Sequence, residues 1–156
     1  MTAIEPQPIC GGPRLEVLDD DECLLLLASE PVGRLGLSAG ALPVILPVNF
    51  VLAARTIVFA SDAGLKLDAA RQRTVACLEV DGLDRFRHGG WSVLATGRLD
   101  EITNAARLAE ARLLPVSPWA LAKPEHYIEL EIELGEGHYH VPLLVSAYAC
   151  ATYRGS

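Results

Sequence analysis

Between residues 127 and 134 apolar and acidic positions alternate without a break. Ile128, Leu130, Ile132 and Leu134 are separated by Glu129, Glu131 and Glu133. A strand turns successive side chains to opposite faces, so Tyr127 to Leu134 is expected to be extended, with one buried and one wet face. A different pattern stands near the start, where Asp19-Asp20-Asp21-Glu22 runs into Cys23-Leu24-Leu25-Leu26-Leu27. Acidic residues suit a helix N-terminus and Asp19 and Glu22 have capping-box spacing; Pro31, which has no N–H to donate, ends the helix.

From Val32 the rhythm is that of short strands divided by turn residues. Val32 to Leu37 reads as a strand, Ser38-Ala39-Gly40 as a turn, and Leu42 to Leu52 as a long apolar strand. That strand contains Pro43 and Pro47, which a sheet tolerates only at a strand start, a bulge or an edge. It is therefore expected to be kinked or to flank a ligand. Ala53-Ala54-Arg55 turns the chain into a hairpin partner, Thr56 to Ala60. Thr74 to Val80 and Trp91 to Leu99 read as two more strands around a polar loop from Asp81 to Gly90, followed by a helix from Ala105 to Leu114 capped by Thr103 or Asn104. At least six strands with short helices and no repeat or internal linker predict one mainly β (α+β) or closed β domain over 15–156. Residues 1–14, with Pro6, Pro8 and a glycine pair, read as a flexible N-terminal arm.

The 156 residues carry a net charge of −7 with no Lys/Arg cluster, which argues against a nucleic-acid or anionic-membrane surface. No apolar run is long enough to span a bilayer, and Met1 to Gly12 lacks the basic-then-apolar order of a signal peptide, so a cytoplasmic protein is expected. Cys10, Cys23, Cys77 and Cys150 form no C-x-x-C pair and read as reduced thiols, Cys77 as a core residue. His138 and His140, with Glu136, would share a strand face, but a pair of exposed histidines is the simpler reading, as it is for His88; no metal site is expected.

Candidate chemistry concentrates in Phe59-Ala60-Ser61-Asp62-Ala63-Gly64-Leu65-Lys66-Leu67, where a strand ends, a hydroxyl and a glycine follow, and a short helix through Ala69 and Ala70 begins. Ser61 can donate a hydrogen bond, Gly64 permits a tight backbone path and Lys66 supplies a counter-charge, a combination suited to a phosphate as well as to a solvated turn. Arg71 and Arg73 could add charge from that helix, though solvated positions are the reading preferred. Pro47-Val48-Asn49-Phe50 and Gly89-Gly90-Trp91-Ser92-Val93 offer apolar faces and edge hydrogen bonds of the kind a flat heteroaromatic ring needs.

Taken in order, Val32-Gly33-Arg34-Leu35, Pro47-Val48-Asn49-Phe50, Ser61 to Leu67, Glu79-Val80-Asp81 and Gly90-Trp91-Ser92-Val93 with Gly97-Arg98 resemble the pyridoxamine 5′-phosphate oxidase-like family, in particular its small single-domain actinobacterial branch. The resemblance runs from about Leu15 to Trp119. It implies a six- to seven-stranded split β-barrel of the FMN-binding type that forms a homodimer, with each FMN in a groove at the subunit interface. By position, Pro47, Val48 and Asn49 would lie along the isoalloxazine ring, Ser61, Lys66 and Leu67 would hold the ribityl phosphate, and Trp91, Ser92 and Val93 would complete the pocket from the same or the partner chain. The implied activity is a flavin-dependent oxidoreductase acting on a small molecule that the sequence does not name. The C-terminal basic run of true pyridoxamine 5′-phosphate oxidases is missing, so that reaction is not expected, and no general acid or base stands out. A deazaflavin coenzyme in the same groove and a non-catalytic flavin- or haem-binding protein are the alternatives.

Overall fold

The computed structural model describes residues 18–84, 86, 89–116 and 124–132. The N-terminal arm, Cys10, His88, Cys150, Glu136, His138, His140 and the end of the chain after Leu134 lie outside the described residues. Along the chain the elements are α1 (Asp20–Ser29), β1 (Val32–Ala39), β2 (Leu42–Ala53), β3 (Thr56–Ser61), α2 (Leu65–Arg71), β4 (Val75–Asp84), β5 (Gly89–Glu101), α3 (Ala105–Leu113) and β6 (His126–Ile132). The strands close into an antiparallel barrel in the order β1-β2-β3-β6-β5-β4, with β4 returning to β1 through the pairs Arg34–Glu79, Leu35–Leu78 and Gly36–Cys77.

Period-two burial builds the interior. Leu35 and Leu37 of β1, Val48 and Phe50 of β2, Ile57 and Phe59 of β3, Leu78 and Val80 of β4, Ala95 and Leu99 of β5, and Ile128 and Leu130 of β6 form one core. Glu129 and Glu131 face away from it, as the alternation predicts. The β3 strand is buried on both faces, because Val58 packs outward against Ile102 and Ala111 beneath α3. Ala69 and Ala70 of α2 and Leu27 of α1 join the barrel core, so both short helices cover barrel openings with small or aliphatic side chains.

Helix starts follow their sequence signals. Asp19 accepts from the Glu22 amide at 2.9 Å, and the Glu22 carboxylate accepts from the Asp19 amide at 3.0 Å. Asn104, not Thr103, caps α3 by accepting from the amides of Ala106 and Arg107. Among the described residues no helix is long and apolar enough to cross a membrane.

Two expectations are corrected. The polar stretch after Val80 is not all loop: β4 continues to Asp84 and pairs with β5 through Gly82–Trp91, Leu83–Gly90 and Asp84–Gly89, with the Trp91 ring lying against Gly82. Ladder pairing and this aromatic cover outweigh the low strand propensity of Asp and Gly. Cys77 is not a core residue, because its neighbours Ala76 and Leu78 point inward and period-two geometry turns its thiol outward, against the Gly36 carbonyl. Arg71 and Arg73 are solvated, as expected, and each also pairs with a carboxylate, Glu101 and Asp100, because β5 runs two residues farther than the expected strand.

The β5–β6 pair passes closest at Gly97, opposite Ile132, where a Cβ would overlap the Glu131 carbonyl oxygen and meet Leu130 Cδ2 at 2.9 Å. Gly97→Ala is expected to destabilise the fold by about 2–3 kcal/mol in urea denaturation, because backbone cannot yield as a flexible side chain can. Gly89→Ala, where nothing lies within 4 Å, is the matched control and should change little.

Candidate functional site

The site begins where two paired strands part company. β2 and β3 pair from Phe50–Phe59 to Ala53–Thr56, and continuing that register would place Asn49 opposite Ala60 and Val48 opposite Ser61. Neither pair forms. β2 instead continues on β1 alone, through Val32–Asn49, Gly33–Val48 and Arg34–Pro47, while β3 leaves with β6 as far as Ser61–His126. Pro47 suits this edge, since a residue without an N–H is tolerated where a strand has a neighbour on one side only. Asn49 is fixed by its side-chain amide, which donates to the Pro31 carbonyl at 3.4 Å, next to the Phe50 amide that donates to the same oxygen.

The gap holds an open cavity of about 270 Å³, lined on one side by Leu46, Pro47, Val48 and Asn49 and on the other by Ala60 to Lys66. Gly64 makes the turn possible: it precedes α2 at φ 142°, ψ −164°, a conformation closed to residues with a Cβ. Ser61 is 2% exposed and its hydroxyl donates to the Asp62 carbonyl at 2.8 Å, which braces the turn from within. Lys66 is half-buried at the cavity wall and forms no ion pair among the described residues. Burial holds its ammonium below the ordinary lysine range, and the charge of Asp62 offsets part of that shift. The cavity thus has an aliphatic wall on β2 and a half-desolvated cation on the turn.

Of the residues singled out in the sequence, Pro47, Val48, Asn49, Ser61 and Lys66 come together around this cavity. Leu67 lies next to them but points into the protein and is 2% exposed. Trp91, Ser92 and Val93 sit on β5, which the strand order places across the barrel from β2, and none of them lines the cavity. Ser92 donates to Glu79, which with Asp81 is paired to Arg34, and Val93 is buried in the core.

Two residues that join Arg71 near the turn, Glu101 and His126, carry no local signal in the sequence. His126 pairs with Ser61 across β3–β6, and its Nδ1 lies 2.8 Å from Glu101 Oε1. Glu101 Oε2 accepts from Arg71 Nε at 2.7 Å. Arg71 and His126 together hold the Glu101 carboxyl below the usual carboxylate range, the hydrogen bond from Arg71 contributing most. These three residues lie 25 to 55 positions apart, and only the barrel register unites them.

Comparison with known proteins gives the family and the fold. The family model for pyridoxamine 5′-phosphate oxidase matches residues 19–138. The chain belongs to that family. An uncharacterized protein of Mycobacterium tuberculosis is 31% identical over 125 residues, covering 77% of this chain and 82% of its own. Among solved structures, the FAD-binding protein of Mycobacterium smegmatis shares 30% identity at a TM-score of 0.61, covering 75% of this chain and 92% of that one. A FAD-binding protein of Mesorhizobium loti has the same fold, at 21% identity and a TM-score of 0.62, covering 74% of this chain and 89% of that one. The mainly β barrel with three short helices is thus the split barrel of the pyridoxamine 5′-phosphate oxidase family.

A half-buried cation with no ion pair among the described residues serves the fold poorly, so Lys66→Met should leave stability within about 0.5 kcal/mol of wild type or slightly above it. Thermal and urea denaturation of the two proteins checks this.

Proposed function

We propose that this chain binds a flavin nucleotide, FMN, in the cavity between β2 and the β3–α2 turn, and serves as a flavin-dependent oxidoreductase. The observation that carries the reading is Lys66, a half-desolvated ammonium with no ion pair among the described residues, facing an aliphatic strand edge across a cavity. A flavin nucleotide has both complements, a flat apolar ring system and an anionic tail. Pro47 and Val48 would bear on the ring, and the half-buried Asn49 amide would meet its polar edge. Lys66 and the backbone amides of the turn would hold the phosphate. Family membership and the FAD-binding proteins among similar structures support the flavin class. The bound flavin would supply the redox chemistry, while the protein orients the ring and keeps water from one of its faces.

The cavity of about 270 Å³ falls short of the roughly 300–1,000 Å³ of pockets that enclose a whole ligand. A second copy of the chain would complete it, in a homodimer whose groove is shared. Its outer sheet face carries Ile45 at 70% and Leu94 at 39% exposure, apolar surface that such contact would cover. The partner's own β5, bearing Trp91 and Ser92, would then reach the ring from the other side.

Two measurements test this. Protein mixed with FMN and desalted should retain the flavin absorbance bands, and Lys66→Met should weaken FMN binding about tenfold or more while changing riboflavin binding little. Loss of FMN, with retention of a deazaflavin coenzyme in the same assay, would transfer the site to that alternative. Light scattering at micromolar concentration should give a dimer mass; a monomer would overturn the shared groove.

A further inference from the structure

The strand neighbour of Ser61 and the far end of the helix that follows the turn are joined by one carboxylate. Ser61 precedes the turn and lies directly opposite His126, while Arg71 ends the helix that follows the turn. Glu101, on the last residue of β5, binds both: His126 Nδ1 at 2.8 Å and Arg71 Nε at 2.7 Å. Leu99 and Ile128 are core residues two positions before Glu101 and two after His126, so both side chains start from the inward face, at the rim that α2 covers. We propose that Glu101 is a positioning residue for the anion-binding turn, and that protonation of His126 strengthens the binding of an anionic ligand there. This rests on the reading of the cavity as the site of a phosphate-bearing ligand.

With His126 neutral, its Nδ1–H donates to Glu101, and the group of Arg71, Glu101 and His126 carries no net charge. With His126 protonated, the same group carries a net charge of +1. Directly opposed cross-strand residues have Cβ atoms about 5 Å apart, so this charge lies within about 10 Å of a ligand touching Ser61. At that range one added charge is worth about a threefold change in affinity. The charged groups on the neighbouring elements are Glu101 from β5, Lys66, Asp68 and Arg71 from α2, Asp62 from the turn and Glu125 before β6, while β3 presents the uncharged Ser61. Arg73 is taken up by Asp100 beside them. Arg71 and His126 hold the Glu101 carboxyl below the usual carboxylate range and Arg71 keeps its own charge, so the net charge of the group follows the protonation state of the His126 imidazole.

The test is FMN affinity by fluorescence quenching from about pH 5.5 to about pH 8. Binding should strengthen with rising pH in both wild type and His126→Gln as far as the second ionisation of the FMN phosphate dictates. The ratio of the two dissociation constants removes that shared contribution. It should change about threefold across the range, and it should stay flat when riboflavin replaces FMN. Parallel FMN profiles for the two proteins would overturn the role of His126. Amide hydrogen exchange of residues 61–71, corrected for its intrinsic pH dependence, tests the positioning role without any ligand. Glu101→Gln should raise exchange in that segment above the rest of the barrel, and unchanged protection would overturn that role. Wild-type protein that binds no FMN at any pH would refute the flavin site alone, because the exchange result stands independently of it.

Discussion

Every feature of the site follows from the separation of β2 and β3 beyond the Phe50–Phe59 pair. Up to that pair the strands satisfy each other's backbone groups. Past it, β2 keeps β1 and β3 keeps β6, and a gap opens between Val48–Asn49 and Ala60–Ser61. Exposed strand edges invite pairing with another chain, and proteins blunt them with proline, bulges or cover. Here Pro43 and Pro47 interrupt the row of donors, and the β3–α2 turn stands across the opening. A fold that must leave an edge unpaired has thus turned that edge into the wall of a cavity.

The rest of the barrel makes this opening affordable in stability. Large aliphatic and aromatic residues from all six strands fill the interior, and Ala69 and Ala70 let α2 sit close against the barrel mouth. The same closeness brings Arg71 to Glu101 and therefore to His126. A short helix of seven residues has little stability of its own. Its core contacts and its ion pair at the far end are what hold Leu65 and Lys66 against the cavity.

Much of this was legible in the sequence, because the signals were local. The alternation at Ile128 to Leu134, the Asp19–Glu22 capping box and the Asn104 cap each act within a few residues, and the structure forms the described part of each as read. Ser61, Gly64 and Lys66 lie on one continuous turn, so a linear reading could group them. What could not be read depends on register. Nothing near Glu101 announces that β5 extends to meet Arg71, and nothing near His126 announces that Ser61 lies opposite. Cys77 was misread for a related reason: an Ala and a Leu on either side look like a buried run until strand geometry sends the middle residue outward.

The charge distribution sharpens what kind of recognition this cavity can perform. With a net charge of −7 the chain repels anions at long range, and Lys66 shares its wall with Asp62. Long-range attraction therefore does not draw a phosphate to this site. Recognition has to arise at contact, where burial has already removed part of the water around Lys66 and where its charge is least screened. Such a site discriminates by fit, since a ligand gains from the ammonium only if its apolar part fills the β2 wall closely enough to seat the phosphate on the turn. For the flavin nucleotide proposed above, the two halves of the cavity would be interdependent, the aliphatic edge of β2 selecting the ring and the turn selecting the tail.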